Sequence, residues 1–160
     1  MKTYHVAVSA EAYAAASFAR AGYEVSVQYG ANQPGYDLVA VKDSRILKVS
    51  VKGSQDGGWA LLAKYKKGRN WIETAKEWLT NQPEEVVMFF VQFKDVEFAS
   101  PPRMYLARAK EVADHLLKGR SGNVSTCLLE NYSYKKGVGK GTTDKMPDSW
   151  ICSEKRINQV

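Results

Sequence analysis

The chain has little of what most catalytic centres are made from. Its 160 residues contain two cysteines and two histidines. Cys127 and Cys152 lie far apart, outside any C-x-x-C spacing, and His5 and His115 are equally separated, so a zinc site or a Cys-His nucleophile pair lacks material. No apolar run approaches the roughly 18 residues that span a bilayer. The opening MKTYHVAVSA also lacks the long apolar stretch of a secretory signal. The expectation is a soluble, cytoplasmic protein with no membrane partner. Hydrophobic residues make up 44% of the sequence, enough for one ordinary core and too little for two comfortable domains. A single domain over 1–160 is predicted.

What is present is positive charge, concentrated in one stretch. The net charge is +6. Between Ala40 and Asn70, eight basic residues (Lys42, Arg45, Lys48, Lys52, Lys64, Lys66, Lys67, Arg69) face two acids, Asp43 and Asp56, so this stretch carries the whole net charge. A clustered positive field attracts polyanions, of which nucleic acid is the commonest inside cells. A solvated lysine-rich surface would give the same composition.

Periodicity gives an order of elements. Tyr4 to Val8 reads as a short strand, after which Ser9 can cap a helix with apolar positions Ala10, Tyr13, Ala14, Ser17, Phe18 and Ala21, stopped by Gly22. Tyr23 to Tyr29 alternates as a strand, and Gly30 to Gly35 reads as a loop. Tyr36 to Lys42 and Arg45 to Lys52 form a hairpin turning at Asp43-Ser44. A glycine-rich loop, Gly53 to Gly58, follows; it matches neither G-x-x-x-x-G-K-[ST] nor G-x-G-x-x-G. A helix from Asn70 to Leu79 and a doubly buried strand from Glu85 to Phe93 come next. Arg103 to Ala107 reads as a strand, Arg108 to Lys118 as a helix closed by Gly119, and Val124 to Leu129 as a strand. The tail 132–160 reads as irregular, with Lys135 to Gly141 a flexible basic loop.

On the hairpin, Leu47, Val49 and Val51 point to one face and Lys48, Ser50 and Lys52 to the other. Asp37 is an acid in an otherwise apolar strand and needs a partner. Lys52, across the hairpin, is the natural one, either as a cross-strand structural pair or as part of a site.

The segments G-Y-D-L-V-A and K-V-S-V-K-G around the hairpin, preceded by a helix bearing Glu11, resemble the core of the PD-(D/E)XK nucleases. The likeness covers about the first 93 residues and is similar in flavour to Holliday-junction resolvases and intron-associated endonucleases. It implies an α/β fold with a restriction-endonuclease-like core in the order αβββαβ, a mixed central sheet flanked by helices, strand, helix and strand additions over 94–131, and the C-terminal tail. It also implies a Mg²⁺- or Mn²⁺-dependent hydrolase of DNA phosphodiester bonds, with Asp37 and Glu11 as metal ligands and Lys52 as the motif lysine. Resolvase-like relatives often work as dimers, so the resemblance allows for a homodimer.

One position departs from the pattern: Ser50 stands where the family has an acid. Glu11 is the candidate for the second carboxylate, and Gln55 or Asp56 in the following loop are further groups within reach of the cleft. Ser50 is otherwise a filler or, with Lys48 and Lys52 on its face, a remote acyl-transfer nucleophile. Lys48, Lys64, Lys66, Lys67 and Arg69 are the candidate nucleic-acid contacts, with Trp59, Tyr65 and Trp71 interleaved as stacking groups; Trp71 and Trp78 equally suit a core. The alternative function is a nuclease-fold module that binds nucleic acid or a protein partner without cleavage.

Overall fold

The structure, a computed structural model, describes residues 1–28, 35–65, 70–83, 85–122, 127–137 and 139–160, with backbone alone for 119–122. Its first element is α1 (Thr3–Arg20), a single helix through the segment expected to begin as a strand. Every fourth residue of one stripe, Val6, Ala10, Ala14 and Phe18, is buried. Val6 extends that stripe by one turn, which is why the helix starts before Ser9. Gly22 ends it at φ 83, as its sequence position suggests.

Three antiparallel strands follow: β1 (Glu24–Val27), β2 (Leu38–Lys42) and β3 (Arg45–Ser54). The expected hairpin is present, with Lys42 opposite Arg45 and Asp43 at φ 54 in the turn. β3 runs two residues beyond its expected end. Gly53 and Ser54, read from sequence as loop, are strand residues opposite Val91 and Gln92. The physical reason is close approach by α1. A Cβ on Gly53 would lie 2.9 Å from the Val6 carbonyl oxygen and 3.0 Å from the Ala10 Cβ, so glycine here admits a helix rather than a turn.

The short β4 (Gly58–Trp59) pairs with β7 (Leu128–Leu129) outside the main sheet; residues 124–126 of the expected seventh strand lie outside the described residues. A 3-10 turn at Ala63–Tyr65 leads toward α2 (Trp71–Thr80), whose N-cap Asn70 side chain accepts the Glu73 N–H at 3.1 Å. β5 (Val87–Gln92), buried throughout, runs parallel to β3, and β6 (Arg103–Arg108) runs antiparallel to β5. The sheet order is β1-β2-β3-β5-β6. This is the expected α/β class: a mixed central sheet flanked by helices, whose first part follows the order αβββαβ once the off-sheet β4 is set aside.

α3 (Ala109–Gly122) continues past Gly119 rather than stopping there. The tail is not irregular. β8 (Asn131–Ser133) and β9 (Thr143–Lys145) form a hairpin around the basic run, with Gly137 and Gly141 at positive φ, and α4 (Glu154–Gln159) closes the chain. α4 was hidden because it contributes one buried residue, Ile157, with Val160 just beyond its end, too few to show a period.

Two apolar layers flank the sheet. On one face α1 and α4 pack against Leu38, Ala40, Leu47, Val49, Val51, Phe89 and Leu106. On the other, α2 and α3 with Trp59, Leu62 and Trp150 cover Met88, Phe90 and Ala107. The second layer takes its sheet residues from β5 and β6 alone among the described residues. Burial of each phenylalanine contributes about 1.5–3 kcal/mol. No helix among the described residues is long and apolar enough to cross a membrane.

Candidate active site

Asp37 stands just before β2. Its backbone joins the ladder on both sides, accepting from Gln28 N at 2.9 Å and donating to Val49 O at 2.8 Å. β2 begins at Leu38, opposite Val49, so Val51, two residues further along β3, has no β2 residue across from it. The Asp37 carboxylate fills that gap. Oδ2 accepts the Val51 N–H at 2.6 Å and the Ser50 hydroxyl at 3.4 Å, the short distance being typical of a charge-assisted bond.

The direct Asp37–Lys52 pair expected from the sequence is therefore replaced. The acid is satisfied by β3's backbone, because its side chain continues the strand ladder past the end of β2. Lys52 still shares a cleft with it. That cleft, of about 400 Å³, is walled by Asp37, Ser50 and Lys52 together with Tyr36, Tyr65 and Trp78. A second cleft of about 420 Å³ lies on the other side of Lys52 and holds Glu11, Ser54, Gln55 and Asp56. Lys52, Ala60 and Leu61 belong to both, so the lysine marks where the two meet.

Glu11 comes from the third turn of α1. Partial burial holds its carboxyl above the ordinary value of 4.5; the Asp37 charge raises it further, and the Lys52 charge pulls it back. Three groups from α1, the β2 entry and β3 thus share one electrostatic environment.

The floor of the second cleft is fixed by a polar relay. Gln92, fully buried, donates to Ser54 Oγ at 3.2 Å and accepts from Lys94 N at 3.0 Å. Ser54 Oγ donates to Asp56 Oδ1 at 2.8 Å, and that carboxylate also accepts from Gly58 N at 3.2 Å. Asp56 is thereby held as a turn-former. The Gln55 side chain, in the second cleft's wall, donates to the Met1 carbonyl at 2.8 Å.

Ser50 is 2% exposed, which places it behind Asp37 as a hydrogen-bond donor. Lys48 is exposed, its Nζ 5.9 Å from the Tyr36 ring centroid, and Lys64 lies 5.0 Å from that of Tyr65. Lys66, Lys67 and Arg69 lie outside the described residues. Trp59 is not a stacking platform: it is 4% exposed, packs edge-on to Phe90, and donates from Nε1 to the Lys52 carbonyl at 2.9 Å. It buttresses the lysine's backbone instead. Trp78 is core, as its helical spacing allowed. Sequence reasoning missed Tyr36, Asn81 and Gln82 as cleft residues; only Tyr36, next to Asp37, carried a signal, while the amides are brought there by the end of α2.

Among the described residues no three or more His, Cys, Asp or Glu side chains form a cluster able to hold a metal ion. Asp37 and Glu11, in the two clefts that meet at Lys52, nevertheless fit Mg²⁺ or Mn²⁺, because Mg²⁺ commonly takes one or two carboxylates and completes its octahedron with water and phosphate oxygens. The donor set suits an open site and not a closed protein cage.

No family model matches this chain, and no curated protein matches it. Among solved structures it is similar to the Holliday junction resolvase Hjc of Archaeoglobus fulgidus, at 13% identity and a TM-score of 0.40, over 65% of this chain and 73% of that one. At that identity and score, the chemistry of the site stands on its own geometry.

Proposed function

We propose that this chain is a metal-dependent endonuclease acting on DNA phosphodiester bonds, with the scissile phosphate lying at Lys52. The observation that supports the reading most is the position of Lys52 between two clefts, one carrying Asp37 and the other Glu11. Lys52 meets the negative charge that grows on the phosphoryl oxygens as water attacks phosphorus and the P–O bond to the leaving strand breaks. Asp37, held rigidly by the Val51 N–H, and Glu11, on a rigid helix, are the residues that would hold the cation. Mg²⁺ or Mn²⁺, when bound, supplies charge at phosphate and a water of lowered pKa. Ser50 orients Asp37 through its hydroxyl.

The test is cleavage of linear, nicked and branched DNA with Mg²⁺ or Mn²⁺ by the wild type, Asp37→Ala and Lys52→Ala. Each variant is expected to lose about a hundredfold or more in rate. Equal cleavage by all three would remove the proposed site.

The second reading, a binding module without hydrolysis, draws on the neutral, buried Ser50 at the position of the motif acid. It predicts no specific divalent-metal heat in calorimetry and DNA binding that weakens steeply with salt. Salt-insensitive binding would sink that version.

A further inference from the structure

The Asp37 cleft is built for more than a phosphate. Two of its walls are half-buried tyrosines from different elements, Tyr36 before β2 and Tyr65 in the 3-10 turn, and each carries a lysine ammonium over its ring, Lys48 and Lys64 respectively. The end of α2 adds two amides. Asn81 and Gln82 donate their side-chain N–H groups to Glu77 O at 2.8 Å and Trp78 O at 2.9 Å, and no donor among the described residues reaches their side-chain oxygens. Those oxygens are acceptors left over in a cleft of about 400 Å³, a size within the roughly 300–1,000 Å³ of ordinary small-ligand sites.

Rings, acceptors and cations together are the chemistry of a nucleotide: a π face to stack, base amino and imino groups to accept from, and phosphates to neutralise. In a continuous duplex the faces of a base are covered by its neighbours. A tyrosine can reach them only where the nucleotide is unpaired. We propose that the Asp37 cleft takes an unpaired nucleotide of the substrate strand, its base against Tyr36 and Tyr65 and its flanking phosphates met by Lys48 and Lys64. This deepens and rests on the reading of the site as one for phosphodiesters, and it assigns the substrate class: DNA with a single-stranded or unpaired element next to the scissile bond.

The experiment uses the full chain in EDTA, so that no strand is cut, and fluorescence anisotropy with three probes: a blunt duplex, the same duplex with a single-stranded overhang, and that overhang with its bases replaced by abasic residues. The overhang is expected to bind about tenfold or more tighter than the blunt duplex, and the abasic overhang to fall back to the blunt level. With the intact overhang, Tyr65→Leu should lose a similar factor while Tyr65→Phe keeps it. An abasic overhang that binds as well as the intact one overturns the proposal and leaves the phosphodiester reading standing. No binding of any probe, in EDTA or with Ca²⁺ in its place, overturns both. The abasic comparison needs no protein variant, so it reads the base contribution even where a tyrosine substitution disturbs packing.

Discussion

The two faces of the central sheet share their strands but not their cover. On the α1 face β2, β3, β5 and β6 all contribute to one continuous apolar layer, closed by the helix stripe Val6, Ala10, Ala14 and Phe18. On the opposite face, among the described residues, the layer under α2 and α3 takes main-sheet residues from β5 and β6 only. On the matching face of β3, Ser50 and Lys52 border the clefts and Lys48 is exposed. The asymmetry is what makes room for chemistry. A sheet covered equally on both sides would have buried those lysine positions and required apolar residues there.

Breaking the covered face should cost most. Phe89→Ala, at a fully buried position where the ring packs 5.9 Å from that of Phe18, is expected to lower stability by about 3–5 kcal/mol, read from urea unfolding midpoints. Gly53→Ala comes next on the same face, since the new methyl meets the α1 backbone; a loss of about 1–3 kcal/mol is expected. If this variant is as stable as the wild type, the close helix approach is not what selects glycine.

The open face should respond differently. Asp37→Ala removes the acceptor of the Val51 N–H and should cost about 1–3 kcal/mol, whereas Lys52→Ala, half-exposed, should stay within about 1 kcal/mol while abolishing cleavage. Chemical denaturation and cleavage assays on the same samples would separate the two effects. An equal stability loss for both would mean that Lys52 belongs to the fold as much as Asp37 does.

The smallest effect is a gain. The carboxyl of Glu11 binds its proton more tightly in the folded protein than at the ordinary value of 4.5. Its favourable contribution is therefore complete below that value and is lost as pH rises through the folded pKa. Glu11→Gln should be slightly more stable than the wild type at pH 7, with the advantage shrinking toward pH 4. A thermal-unfolding series across that range checks it, and an advantage that grows on acidification would reverse the sign.

The hairpin was legible because alternation of Leu47, Val49 and Val51 with polar residues fixes register and face at once. The buried run at β5 and the helix α2 were legible for similarly local reasons. What escaped reading was set by other parts of the chain. Gly53 signals a loop until α1 is laid on it, and Val6 belongs to a helix because it packs there. Asp37 and Lys52 line one cleft, but which partner the acid takes depends on where β2 ends, and tertiary pairing decides strand ends.

The rung that Asp37 supplies has a consequence for how this chain can drift. Selection for thermal endurance alone would keep an acceptor at position 37, whatever became of hydrolysis. Asparagine keeps an oxygen for the Val51 N–H and removes the charge, so Asp37→Asn is expected to fold at near-native stability and, under the proposed function, to lose cleavage while still trapping a bound strand intact.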